Sequence, residues 1–257
     1  MKAAACALAA LLWLASAVGA APDVDARRSG FDDMTPALQA MQRDDAQNPA
    51  MLWVADGAAL WQRAEGANHP SCAACHGDAS VAMRGIAARY PAFDAASRRP
   101  ITLGQRINAC RAGHQHAAPF AAESDALLGL ESFVAMQSRG LPIAPPADAR
   151  LQPYRARGEQ LFKRRIGQLD LSCAQCHDER AGRRLGGATI PQAHPTGYPI
   201  YRLEWQGLAS LQRRLRSCIG GVRAEPYAFD APELVELELY LAQRAAGMRV
   251  DAPGVRP

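Results

Sequence analysis

A chain of 257 residues is long enough for one large or two ordinary domains, and 49% hydrophobic with 21% charged residues describes a soluble globular protein. Aromatics at 6% and abundant alanine favour helices over sheets. The net charge of +4, carried far more by arginine than by lysine, suits an acidic protein partner or an anionic small molecule; without a basic stripe interleaved with aromatics, it speaks against nucleic acid.

Residues 1–20 read as a secretory signal, with Lys2 as the positive region, an apolar core over 3–18, and Val18-Gly19-Ala20 as a small-residue cleavage site. The apolar run is short for a membrane span and lacks a basic stop-transfer flank, so export to the periplasm is expected and Cys6 leaves with the signal. No later stretch could cross a bilayer. Residues 21–50 form a polar extension expected to wrap a domain. Helical periodicity begins near Met51 and runs through Leu52, Trp53, Leu60 and Trp61, ahead of Cys72-Ala-Ala-Cys75-His76. Further helices are expected over 103–110 and 127–136. Gly140-Leu-Pro-Ile-Ala-Pro-Pro146 breaks any helix and places a linker over 141–153, between a first domain at 51–140 and a second at 154–257.

The second domain carries Cys173-Ala-Gln-Cys176-His177. Two cysteines separated by two residues and followed at once by histidine form the c-type haem attachment pattern. One turn of chain lets both thiols reach the haem vinyl groups, and the adjacent imidazole is placed over the iron as its proximal ligand. A structural zinc or redox CxxC site is the competing reading, which two complete copies disfavour. Two covalent haems c are expected, on Cys72 and Cys75 and on Cys173 and Cys176.

The repeat extends beyond these motifs. Gly57-x-x-Leu60-Trp61, fifteen residues before Cys72, is matched by Gly158-x-x-Leu161-Phe162, fifteen before Cys173. Leu103-x-x-Arg106-Ile107-x-x-Cys110-x-x-Gly113 is matched by Leu211-x-x-Arg214-Leu215-x-x-Cys218-x-x-Gly221, and the stretch from Leu130 to Gly140 by that from Leu237 to Gly247. Such an internal duplication implies an all-α fold of two tandem cytochrome c-like domains.

The second axial ligand of each iron stays open at this level. A c-type haem usually takes methionine or histidine. The second half offers His194, Met248 and Cys218; the first offers His69, His114, His116, Met83, Met136 and Cys110. Cys110 and Cys218 are the only mature cysteines outside the motifs, and they are equivalent in the repeats. They form either one thiolate ligand per domain or one disulfide. The symmetry favours ligation, since a bridge would require the repeats to face each other at that point. Arg213, Arg214 and Arg216 precede Cys218 and Arg223 follows it. In a helix, Arg214 shares a face with Cys218, where a guanidinium favours the thiolate and binds oxyanions bidentately. Arg213 and Arg216 read equally well as a solvated face. Arg106 stands four residues before Cys110, in a fold role for which a haem propionate is the expected partner. Only the second site has a dense positive cluster, so chemistry is expected there.

With these residues the chain resembles the SoxA family, the dihaem A subunits of the SoxAX cytochromes of bacterial thiosulfate oxidation. The resemblance spans essentially the whole mature chain. It rests on the two CxxCH motifs in duplicated domains, a cysteine after each, and Arg214-x-x-x-Cys218-x-x-x-x-Arg223. It implies His76 and Cys110 as axial ligands of the first haem and His177 and Cys218 as those of the second. Cys218 would also be the active-site residue, carrying a persulfide, and Arg214 would bind thiosulfate, with Arg223 a further candidate. The implied activity is that of an L-cysteine S-thiosulfotransferase, which joins thiosulfate to a cysteine of the carrier SoxYZ. Electrons would leave through haem to a downstream cytochrome c, and the monohaem cytochrome SoxX would complete the enzyme. Some relatives lack the first haem; both motifs are intact here. Two other readings remain: a dihaem electron carrier without substrate, in which Cys218→Ala leaves electron transfer intact, and a dihaem peroxidase, which a sulfur ligand disfavours because that class needs an open or histidine-gated iron.

Overall fold

The computed structural model describes residues 26–65 and 69–257; the signal sequence expected over 1–20 lies outside the described residues. The extension that follows contains α1 (Pro36–Arg43), opened by a proline and capped by Thr35, whose hydroxyl accepts the Leu38 N–H. This segment grips the far end of the chain. The side-chain oxygen of buried Gln42 accepts the Val255 N–H at 2.9 Å, and Asn48 donates to the Pro253 carbonyl at 3.1 Å.

The first repeat runs α2 (Met51–Gln62), the short α3 (Cys72–His76) and α4 (Ala79–Ala82), a hairpin of β1 (Ala92–Asp94) and β2 (Arg99–Ile101), then α5 (Leu103–His114) and α6 (Asp125–Met136). The second follows the same order. It comprises α7 (Gln152–Lys163), α8 (Cys173–His177), a small hairpin of β3 (Arg184–Leu185) and β4 (Ala188–Thr189), and a second hairpin of β5 (Ile200–Arg202) and β6 (Gly207–Ala209). Then come α9 (Leu211–Gly221), α10 (Pro232–Arg244) and β7 (Gly254–Arg256), which pairs in parallel with β5. The all-α expectation is thus corrected to a mainly helical fold with short strands. Strands of two or three residues are too short to print an alternating apolar pattern on the sequence. Among the described residues no helix is long and apolar enough to cross a membrane.

In each repeat the first helix crosses the last at a glycine. A Cβ added to Gly57 would lie 2.1 Å from the Gly129 carbonyl oxygen, and one added to Gly158 2.1 Å from that of Glu236. Main chains therefore touch where α2 meets α6 and where α7 meets α10, which explains the recurring glycine of the Gly-x-x-Leu-aromatic motif. One turn further on, the buried aromatics close the same crossings. Trp61 packs 5.8 Å from Phe133, and Phe162 5.4 Å from Tyr240.

The proline-rich stretch between the repeats lies extended along 247–250. Gly140 donates to the Val250 carbonyl at 2.8 Å and Val250 to that of Leu141 at 2.9 Å; Ile143 donates to Met248 at 2.8 Å and Gly247 to Ile143 at 2.7 Å. Ala88 and Ala135 of the first repeat, with Ala245, Val250 and Ala252 of the second, enclose Ile143. The repeats meet across this apolar seam.

Candidate functional site around Cys218

Both CxxCH motifs form single-turn helices started by a serine. Ser71 accepts the Ala74 N–H at 3.0 Å, and Ser172 that of Gln175 at 3.2 Å while the Gln175 side chain returns to the Ser172 N–H at 2.8 Å. His177 Nδ1 lies 2.7 Å from the Pro191 carbonyl. A carbonyl only accepts, so Nδ1 carries the proton and Nε2 keeps its lone pair for a metal. Burial, with Arg214 and Arg244 adding to it, holds the His177 pKa below the usual imidazole value, which favours the neutral, ligating form.

Around this turn, Cys173 and Ala174 pack against Phe162, Ile219, Leu234, Leu237 and Leu241. Cys72 and Ala73 pack likewise against Trp61, Leu130 and Val134. Two thiols on one turn, an imidazole with a free Nε2 and an apolar cradle fit a c-type haem. Cys173, Cys176 and His177 could hold one such group, and Cys72, Cys75 and His76 another.

Of the three sulfur or nitrogen groups proposed opposite His177, Cys218 is the one whose charge registers at the motif. Burial first, and Cys218 second, push the Cys173 thiol up to about 11. Met248 instead packs into the seam around Ile143, and His194 Nδ1 sits 2.8 Å from the Arg28 carbonyl on the N-terminal extension. In the first repeat, burial raises the Cys110 thiol, Arg106 opposes it, and Cys75 raises it further; Cys110 in turn acts on Cys72. Met83 packs in the Trp61 cluster, His69 bonds the Gln115 carbonyl, and His114 and His116 are exposed at the end of α5. Among the described residues no disulfide joins Cys110 and Cys218.

Cys110 and Cys218 ride on matching helices. Thr102 caps α5 by accepting the Gln105 N–H at 3.2 Å, and Ser210 caps α9 by accepting the Arg213 N–H at 3.2 Å. Arg106 and Arg214 then stand one turn before each cysteine, on its face. Their surroundings differ. Arg106 is bound to Asp94 at 2.6 Å, and Ser97, with Arg106 assisting, holds the Asp94 carboxyl down to about 2. The residue equivalent to Asp94, third in the matching strand β5, is Arg202. With that inversion of charge, Arg214 forms no ion pair among the described residues, while its field reaches His177 and Tyr198.

The other arginines are placed elsewhere. Arg213 lies over Trp205 at 4.7 Å and Arg216 over Phe229 at 4.4 Å, so both stack on aromatics outside the cysteine face. Arg223 is exposed, just past the helix end with φ 58°, and no charge contact joins it to Arg214 or Cys218 among the described residues. Tyr198 was not singled out from sequence. Its hydroxyl is pushed up to about 12 by burial first, with Arg214 opposing and Cys218 adding, which places it in the charge field of both. The signal was present: Tyr90-Pro91 recurs as Tyr198-Pro199, and both peptide bonds are cis.

The model of the SoxA/TsdA cytochrome c domain matches the chain twice, over residues 56–143 and 157–250. The L-cysteine S-thiosulfotransferase subunit SoxA of Pseudaminobacter salicylatoxidans is 37% identical over 217 residues, 84% of this chain and 76% of that protein. Its counterpart from Rhodovulum sulfidophilum is 35% identical over 232 residues, 90% of this chain and 81% of that one. Among solved structures, SoxXA from Paracoccus pantotrophus superposes with a TM-score of 0.86 at 32% identity, covering 90% of this chain and 87% of the other.

Proposed function

The chain belongs to the SoxA/TsdA cytochrome c family, and from that premise we propose that it is the A subunit of an L-cysteine S-thiosulfotransferase, with Cys218 as its reacting residue. The observation that carries the site assignment is the unpaired Arg214 one turn from Cys218, set against its counterpart Arg106, which Asp94 neutralises. Both cysteine helices have the same form, and only the second presents a guanidinium to an incoming anion.

The reaction joins thiosulfate to a carrier cysteine thiolate, forming one S–S bond and releasing two electrons. The two CxxCH motifs would each hold a haem c, which supplies the one-electron redox chemistry this oxidation needs. Cys72, Cys75, His76 and Cys110 would hold the first, with the two motif cysteines attaching it covalently; Cys173, Cys176, His177 and Cys218 would hold the second in the same way. Arg214 binds the sulfonate oxygens and offsets the repulsion between two anions in a partly dry cleft. Cys218 carries the extra sulfur as a persulfide, whose terminal atom meets the substrate. Arg223, exposed beyond the end of α9, is better suited to meeting the approaching carrier than to holding thiosulfate. A small SoxX-like monohaem cytochrome, a SoxYZ-like carrier and a downstream cytochrome c acceptor complete the system, which operates in the periplasm after removal of residues 1–20.

The test is to incubate the purified chain and its monohaem partner with thiosulfate and the carrier, and to weigh the carrier by mass spectrometry. Growth of the carrier by one thiosulfate, with haem reduction, is expected; reduction and reoxidation with an unmodified carrier sinks the transferase reading in favour of a plain electron carrier. Arg214→Ala is expected to lower kcat/KM for thiosulfate about 10- to 100-fold, the worth of a charged hydrogen bond, chiefly through KM. Arg213→Ala, losing a stack on Trp205, should change it less than about threefold.

A further inference from the structure

The duplication brings together a second set of residues that the reaction above does not use. A cavity of about 140 Å³ lies between the repeats, walled by matching residues from both. Glu131 on α6 corresponds to Glu238 on α10, and Glu123 to Asp230, under the same offset that relates Leu130 to Leu237. Four carboxyl groups therefore converge from the two halves. Buried Thr196, whose hydroxyl has no hydrogen-bond partner, lies in the same wall, as does Tyr198 with its reach to Arg214 and Cys218.

These carboxyls face the first turns of the cysteine helices. The Glu131 carboxyl lies against Gly104 in the first turn of α5, where an added Cβ would be 2.8 Å from its Oε1. Glu238 shares the cavity wall with Gln212 of α9, and Glu123 with Ser210, the cap of that helix. The Gln212 oxygen in turn accepts the Asp230 N–H at 2.8 Å. Charged and titratable neighbours are few. Arg213 faces Glu123 and Arg99 faces Asp230 at the rims, Tyr90 and Tyr198 lie in the wall, and no cation acts on Glu131 or Glu238. Such a group cannot be fully ionised in one cavity without large mutual repulsion.

We propose that Glu131 and Glu238, which face the first turns of α5 and α9 across one cavity, are positioning residues that set where Arg214 and Cys218 stand. Burial first, and the neighbouring carboxylates after it, push Glu131 up to about 8; burial and the same neighbours push Glu238 to about 8 against the opposing Gln212 side chain. The native chain thus keeps two protons that the unfolded chain releases above the ordinary value of 4.5. Stability contributed by the pair is present at low pH and is lost as pH rises through about 8. Ionising the pair frees the first turn of α9, one turn from Arg214.

The experiment compares the holoprotein with a Glu131→Gln/Glu238→Gln variant, which keeps the hydrogen-bonding shape and removes the ionisable protons. Melting temperature is followed from about pH 5 to about pH 9. Wild type is expected to melt about 5 °C lower or more at the alkaline end, whereas the variant stays flat and melts above wild type there. Either single glutamine variant should show about half the wild-type slope, which serves if the double variant does not fold. In the transfer assay the wild-type alkaline fall in kcat near pH 8 should move upward in the variant. Equal melting slopes in wild type and variant would overturn the proposal, as would a calcium-dependent rise in melting temperature that the variant loses, since that would make the cavity a site for an ionised cluster. The activity arm rests on the transferase reading; the melting arm does not, so the two can fail separately.

Discussion

Cys218→Ala is expected to abolish thiosulfate transfer, lowering kcat/KM by at least ~10³-fold, while the chain still folds and keeps its haem complement. Removing the sulfur deletes the only atom on which an extra sulfur can be carried at this site, and no neighbour replaces it. Tyr198 is held neutral, and Cys173, whose thiol feels the charge of Cys218, belongs to the CxxCH motif. The structural cost is small, about 1 kcal/mol, because the side chain is half-buried near the end of α9 and outside the Phe162 cluster. Electron paramagnetic resonance on the ferric protein separates the cases. One of two low-spin signals of histidine–thiolate type should disappear or shift in the variant. Signals of histidine–methionine or bis-histidine type, untouched by the substitution, would remove Cys218 as a ligand. The matching Cys110→Ala should alter the other signal and leave transfer within about tenfold, because Arg106 beside it is already paired with Asp94.

Gly158→Ala should be strongly damaging to the second repeat. Alanine gains about 1 kcal/mol of helix propensity over glycine, yet here its Cβ would fall 2.1 Å from the Glu236 carbonyl oxygen and 2.9 Å from the Tyr240 Cβ. The obstacle is backbone, which cannot rotate away as a side-chain tip would. Helices α7 and α10 must separate, loosening Phe162 from Tyr240 and the apolar cradle of Cys173 with it. A net loss of about 2–3 kcal/mol follows, a fall in melting temperature of about 4–12 °C. Gly187→Ala, with nothing within 4 Å of the new carbon, is the control and should leave the melting temperature within about 1 °C. A Gly158→Ala chain melting like wild type would show that the two helices do not depend on main-chain contact.

The same sequence spacing that marks this glycine also marks the rest of the covalent plan. Both CxxCH turns, the cysteine one helix later, the arginine one turn before it and the hundred-residue duplication are all local patterns, legible because neighbours along a helix repeat with its period. Helices α2, α5 and α6 fall where the periodicity from Met51, the stretch from Leu103 and that from Leu127 place them. The short strands left no mark, since two or three residues cannot establish an alternation. Nor could composition show that residues 140–144 are a packed seam: proline and glycine signal a break in helix, and what pairs with the broken chain is a stretch a hundred residues further on.

By itself, then, the sequence displayed both CxxCH motifs, the duplication and the placement of Arg214 and Cys218 on one helical face. Tertiary structure decided which of two equivalent arginines is available. Asp94 reaches Arg106 from a neighbouring strand, and Arg202 stands at the matching place in the other repeat. It also brought Glu131 and Glu238 into one cavity from positions far apart in the chain. The physical reason is common to both. Coulomb and desolvation energies depend on distance in space and on burial, and between residues joined only by long loops neither is written in the spacing of the chain.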